Sequence, residues 1–371
     1  MMSTERMTQE FARLVAIDSP SYGERQVADY LKERLLGLGF SVEEDDAGEK
    51  TGGNCGNLLA RRSGSLPGEP LLFSMHMDTV DPAMGKRAVF HEDGRITGAG
   101  DTVLGADDLA AVAALLEALT RAQEEERPVR DLELLFTIAE ERHLMGSRAF
   151  AFEKLRARQS YVPDLSGPVG TAALKAPSLA VFTVTIHGRA AHAGFSPELG
   201  IHAVQIAARG VAKLKLGHAD ADTTVNVGSI RADFATNVVP DTCVLQGEVR
   251  SLKHESLEAE IGKIRELFAK EAEEAGGSAQ FREELLFRAY ETPEAHPVVR
   301  RYQRACAAAN VPCVLSNTLG GSDQHRLSEH GITGVVLASA MHRAHSLQEY
   351  TTGEEMEQVA KILEALISDP E

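Results

Sequence analysis

The sequence has no apolar run approaching the ~20 residues needed to cross a bilayer, and its first residues, MMSTERMTQEFARLV, are charged and patterned as a helix rather than as a signal peptide. The chain therefore reads neither as a membrane protein nor as a secreted one. Cations are in deficit: 38 Lys and Arg against 55 Asp and Glu give a formal net charge of −17. Such a balance excludes an electrostatic nucleic-acid surface, which needs clustered Lys and Arg to meet phosphates. The acidity reads as solubility and says nothing about a reaction. Cysteine is scarce, and Cys55, Cys243, Cys306 and Cys313 make no CxxC pair or closely spaced framework. Free thiols fit a reducing compartment, so a cytoplasmic location is expected. Internal repeats and low-complexity segments are lacking as well.

What is present is enough for two cores. At 371 residues, 43% hydrophobic and 25% charged, the chain is too long for one typical core, so a two-domain globular protein is expected. Apolar runs alternate with amphipathic segments, the pattern of an α/β protein. Residues 3–17 and 23–38 read as helices and residues 57–61 and 70–77 as strands, while AVFHEDGRITG carries an Asp93-Gly94 hairpin signal. An Ala- and Leu-rich helix at 106–122, the strand DLELLFTIA, a helix near 145–158 and a short strand at 160–162 lead to Asp164. From 178 to 290 the order is strand, helix, two strands, helix, strand, which is the ferredoxin-like arrangement and a complete small domain. The expected division is thus 1–177 with 291–371, interrupted by an inserted domain at 178–290. Thr351 or Thr352, with Glu354 and Glu355 at capping-box distance, opens the closing helix.

The chemistry lies at the predicted ends of these elements. In SMHMDTV, His76 and Asp78 stand two apart on a strand and share a face, so Asp78 can hydrogen-bond one imidazole nitrogen and leave the other for a metal. In LGADDLAAVAALLEAL, Asp107 and Asp108 begin a helix; they suit an N-cap or a dipole partner, and equally a carboxylate that bridges two cations beside the permissive Gly105. In FTIAEERHLMG, Glu140 and Glu141 end a strand, where ligands of open α/β sheets collect. One can bind metal while the other serves as general base, or the pair is a solvated turn. Asp164 in VPDLSG and His345 in AHSLQEY are unexceptional singly. Together, His76, Asp107, Glu141, Asp164 and His345 are two histidines and three carboxylates, a suitable set for two divalent cations sharing a water. Metals about 3.5–4 Å apart lower the pKa of that water and polarise a carbonyl.

The ordered set HMD, GADD, AEE, VPD, GGSD and HSLQE resembles the di-zinc metallopeptidase family that contains peptidase T, glutamate carboxypeptidases and acylamino-acid deacylases. VPDLSGPVGTAALKAP and GGSDQH place it nearest the peptidase T-like branch, and the resemblance covers essentially the whole chain. It implies an open mixed sheet flanked by helices, with the ferredoxin-like domain inserted as a lid and dimerisation unit. It implies His76 and His345 each on one metal, Asp107 bridging, Glu141 and Asp164 terminal, Asp78 orienting His76, and Glu140 as the base that moves a proton from water to the leaving amine. His192 in AAHAGFSP resembles the histidine that crosses a dimer interface to steady the oxyanion of the partner's site. Asn237 and Arg250 resemble residues that hold the substrate carbonyl or carboxylate, and Gly320 and Gly321 would let the substrate backbone lie close.

Two departures stand out: Leu109 where the family usually has Lys, and His143 where it usually has Gly. His342 competes with His345, which is preferred because the family spacing from His to Glu matches His345 and Glu349. The resemblance thus implies a cytoplasmic homodimeric exopeptidase with two divalent ions per chain, zinc or else cobalt or manganese. Its substrate would be a short peptide, cleaved in the manner of a tripeptide aminopeptidase. A carboxypeptidase or N-acyl-amino-acid deacylase is the alternative within the family, and a non-catalytic metal- or peptide-binding homologue the alternative outside it. Retention of Glu140 beside all five ligands argues against the last, since a pure binder needs no unligated base.

Overall fold

The computed structural model describes residues 3–371. The chain forms two compact units, one of residues up to Lys175 together with Glu291–Glu371, the other of Ala176–Tyr290.

The first unit is built on a nine-stranded mixed sheet. Its central strands Leu71–His76, Leu132–Thr137, Gln159–Leu165 and Thr333–Ala338 run parallel. Strands covered on both faces need apolar side chains at nearly every position, and LLFSMH and LELLFT are buried throughout. Ser41–Glu44 and Leu58–Arg62 extend one side antiparallel, and Thr171–Ala176 runs antiparallel to Thr333–Ala338 on the other. The helix Ala106–Glu124 is buried on nearly all sides and packs against Ser3–Val15 and Gly353–Ile367. His76 pairs in register with Thr137, so the chain leaves two parallel strands at the same edge of the sheet, carrying Asp78 from one and Glu140 and Glu141 from the other.

The second unit is an antiparallel sheet in the order Gly217–His218, Thr223–Arg231, Thr242–Ser251, Ser178–His187, Ser278–Phe287, with helices Ala203–Lys213 and His254–Glu274. Counting only the four long strands in chain order, the arrangement is ferredoxin-like. Ser178–His187 alternates buried with half-buried residues along most of its length, as a strand packed on one face must.

Several local expectations were revised. The helix expected near 145–158 stops at Ala149; a short 3-10 turn follows at Phe152–Lys154, after which the buried Glu133 carboxylate accepts the Arg156 and Ala157 N–H groups, both at 2.9 Å. The strand expected at 160–162 spans Gln159–Leu165 and so includes Asp164. Strand Tyr350–Thr352 joins the Asp93-Gly94 hairpin in a small third sheet that local patterning did not reveal. At the closing helix Thr352 is the cap, its Oγ1 accepting the Glu355 N–H at 3.1 Å. Among the described residues no helix is long and apolar enough to cross a membrane.

Candidate metal centre

His76 ends its strand almost fully buried, and its Nδ1 lies 2.9 Å from the Asp78 carbonyl and 3.5 Å from Asp78 Oδ1. The main-chain carbonyl is thus the nearer acceptor of the ring N–H, with the carboxylate farther off. The Asp78 carboxylate is committed elsewhere: Oδ1 accepts the Glu140 N–H at 3.0 Å, and Oδ2 accepts Ser21 Oγ–H at 2.7 Å and the Glu141 N–H at 3.3 Å. It ties down the turn that carries both glutamates.

That turn, Glu140–Arg142, begins where the sheet ladder stops. Three side chains replace the ladder: Asn57 Oδ1 accepts from Ile138 N at 3.0 Å, Glu24 Oε1 from Ala139 N at 2.9 Å, and Asp78 from the next two residues. Ala139 is left-handed at φ 45° and His143 at φ 63°. The second value accounts for a departure noted in the sequence, since glycine adopts such a φ without steric cost and His143 adopts it at some cost. Because the strand has ended, neighbouring Glu140 and Glu141 are released from pointing to opposite faces.

The helix that carries Asp107 and Asp108 has Gly105 at its N-cap and so no side-chain cap there. Gly105 is left-handed at φ 79°, and Asp107 itself is non-helical at φ −81°, ψ 101°. Glu349 fixes this segment with both oxygens, accepting Gly105 N at 2.7 Å and Asp107 N at 3.0 Å. The Asp107 carboxylate then faces two histidines at once: Oδ1 is 3.0 Å from His76 Nε2, and Oδ2 is 3.3 Å from His345 Nε2. His345 Nε2 also lies 2.9 Å from Glu141 Oε1. Hydrogen bonds to Asp107 and then Glu141 push the His345 pKa up to about 11. Burial alone would raise the Asp107 pKa, but His345 and His76 outweigh it and hold the group well below the usual carboxylate range.

Asp164 follows Pro163, which has no N–H for the ladder, and the pairing with Thr333–Ala338 shifts register between Val336 and Ala338. Donor atoms of His76, Asp107 and Glu141 all lie within 4.8 Å of one another, as do those of His76, Glu140 and Asp164. Burial, and then the nearness of Asp164, drive the Glu140 carboxyl well above its ordinary pKa, and burial with Asp107 does the same to Asp164. Asp108 adds a further carboxyl whose two oxygens are buried without a hydrogen-bond partner. Carboxylates this close stay ionised only with cations among them, and imidazole with carboxylate oxygen is the donor set that divalent metals take. The residues fit a two-cation centre.

The other expected site residues lie as follows. His342 is paired with Glu355 at 2.9 Å and stacked on Tyr350, so of the two competing histidines it is His345 that meets the acids. Leu109 is fully buried in the core. Gly320 is exposed and Gly321 half-buried, just ahead of the buried Asp323, which accepts Thr137 Oγ–H and Ser147 Oγ–H, each at 2.5 Å. Within the second unit, His192 Nδ1 accepts the Gly194 and Phe195 N–H groups at 3.1 Å, which leaves the proton of a neutral ring on Nε2. Its ring stacks on Phe195. Exposed Asn237 accepts the Ala193 N–H through its carbonyl at 2.9 Å. The Arg250 fork is engaged by Glu248, with Nε 2.8 Å from Oε1. Sequence reasoning passed over Glu24, Asn57 and Lys86 and assigned no role to Glu349. A lone buried acid or amide beside a turn carries no local signature; of the four only Glu349 lies in a motif already named, HSLQE.

A fold of this kind, with clustered acids and histidines at the carboxyl ends of parallel strands, defines a metallopeptidase. The peptidase dimerisation domain family matches residues 176–276 and peptidase family M28 matches residues 57–177. Aminopeptidase PepT from Bacillus cereus superposes with a TM-score of 0.91 at 34% identity, over 98% of each chain. A tripeptidase from Staphylococcus aureus superposes with a TM-score of 0.95 at 31% identity, again over 98% of each chain. The Bacillus subtilis protein YqjE is 34% identical over 100% of this chain and 99% of its own. The chain belongs to the metallopeptidase family that includes peptidase T and the related carboxypeptidases and deacylases.

Proposed function

We propose that this protein is a two-metal peptidase that removes N-terminal residues from short peptides, tripeptides above all. The observation that carries the reading is the Asp107 carboxylate, each of whose oxygens faces a different histidine, because a carboxylate so placed could serve two cations at once. His76 with Asp164 on one side and His345 with Glu141 on the other would hold the ions. Bound there, two divalent cations supply charge that polarises a carbonyl and acidifies a water. Zinc is the proposed metal, with cobalt and manganese as substitutes.

The main chain at Glu140 is fixed by the bond from its N–H to Asp78. Glu140 is the proposed base, taking a proton from the attacking water and returning it to the leaving amine. His192 Nε2–H is proposed as the donor that meets the developing oxyanion of the partner subunit's site in a homodimer, and Asn237, Arg250, Gly320 and Gly321 as the residues that receive the peptide. For Arg250 this requires the substrate carboxylate to compete with Glu248. A cytoplasmic location agrees with the free cysteines, all four of them unpaired.

The test is turnover of di- and tripeptides with free or blocked ends, and of N-acyl amino acids, each with zinc, cobalt and manganese. Tripeptides with a free α-amine should be cleaved fastest. Preferential cleavage of N-acyl amino acids would overturn the aminopeptidase reading and favour the deacylase, leaving the metal centre intact.

A further inference from the structure

Lys86 is the one lysine among the buried described residues, with 1% of its surface exposed. Its Nζ donates to two neutral hydroxyls, Thr79 Oγ1 at 2.7 Å and Ser19 Oγ at 3.2 Å, and makes no ion pair within 4.0 Å. A full charge without a carboxylate in contact is expensive to bury unless charges slightly farther off repay it. The anions around it are Asp18, Glu349 and Asp78. Burial draws the ammonium down to about 8, while these three carboxylates hold it up.

Two of those anions hold the metal centre together. Glu349 accepts the N–H groups of Gly105 and of the bridging residue Asp107, and Asp78 accepts those of Glu140 and Glu141. Lys86 lies beside the Gly105 hinge: a methyl group placed on Gly105 would stand 3.5 Å from its Nζ and 3.6 Å from Leu109 Cδ1. The ammonium and the Leu109 side chain therefore flank the same point.

We propose that Lys86 is a positioning residue of the metal centre, its buried ammonium being the fixed counter-charge that keeps Glu349 and Asp78 clamped on the backbone of the bridging aspartate and of the paired glutamates. This rests on the two-cation reading above. The sign of its effect separates it from plain proximity. A bare positive charge near two cations repels them, so deleting it would tighten metal binding. A positioning charge does the opposite, because outer partners that orient ligands commonly contribute 10–100-fold to metal affinity.

Cobalt binding to the full chain, followed by chelator competition and by the visible spectrum of the bound ion, decides the matter. Lys86→Met should weaken cobalt binding about 10–100-fold and shift the spectrum. Lys86→Leu combined with Leu109→Lys, which returns an ammonium to the neighbourhood of Gly105, should recover most of the affinity and the parental spectrum. Unchanged or tighter binding in Lys86→Met overturns the proposal, and so does a folded double variant without recovery. A parent that binds no cobalt would refute the metal centre itself. In that event the clamp is still judged on the apo-protein, where the stability losses of Lys86→Met and Glu349→Gln should fail to add if the pair is coupled, and strict additivity overturns it.

Discussion

Replacing Asp78 by asparagine isolates the tether that aims the two glutamates. The side chain is fully buried, and its carboxylate accepts three donors: Glu140 N at 3.0 Å, Glu141 N at 3.3 Å and Ser21 Oγ at 2.7 Å. An asparagine whose oxygen stays on Glu140 N turns its NH2 toward the other two. The Ser21 hydroxyl can rotate and accept from it, whereas the Glu141 N–H cannot and is left unpaired. One buried unpaired N–H costs about 1–3 kcal/mol, and loss of charge on the remaining bonds about 1 more. The sum, about 2–4 kcal/mol, corresponds to roughly 30- to 1000-fold in whatever depends on the geometry of the turn. Metal affinity by chelator competition and tripeptide turnover should both fall by amounts in that range, and Asp78→Ala, which leaves all three donors unpaired, should fall further. If Asp78 served only to orient His76, asparagine would be nearly silent, because the His76 ring already bonds to the Asp78 carbonyl. An Asp78→Asn protein within threefold of the parent in both measurements would refute the tether.

The remaining predictions concern the base, the histidines and one buried acid. Glu140→Gln should lower turnover by at least about two orders of magnitude while metal content per chain is unchanged; mixing it with His192→Ala subunits should restore part of the activity, and no rescue despite demonstrated subunit exchange would confine His192 to its own chain. His345→Ala should lose metal together with activity, whereas His342→Ala, which only frees Glu355 and Tyr350, should keep its metal by elemental analysis; the reverse result would exchange the two assignments. Burial, with Asp78 nearby, pushes the Glu24 carboxyl up to about 7. The folded chain thus holds a proton that the unfolded chain, at about 4.3, releases, so stability is fully present below that value and is lost as pH rises to about 7. Glutamine keeps the acceptor for Tyr22 N and Ala139 N and puts its NH2 where Oε2 has no partner. Urea denaturation of apo-protein should therefore show Glu24→Gln gaining about 2–3 kcal/mol on the parent between pH 5 and pH 8, and a pH-independent difference would contradict the assignment.

Hydrophobic period and turn chemistry are local, so the sequence by itself determined the α/β class, the buried strands, the inserted ferredoxin-like unit, a capping box at Thr351 or Thr352 and the family likeness in HMD, GADD and AEE. It also marked strand and helix ends as the places where acids and histidines accumulate. Only the tertiary structure decided how those ends are aimed. Asp78 reaches a turn 62 residues away, Asn57 a backbone N–H at 81, Glu24 one at 115 and Glu349 one at 242. No periodicity encodes such partners, because each is a single polar group whose meaning depends on which orphaned N–H the packing brings to it. The same holds for Lys86. In the sequence it is one cation among 38, and its role as counter-charge exists only because folding removes it from water beside Glu349, Asp78 and Gly105.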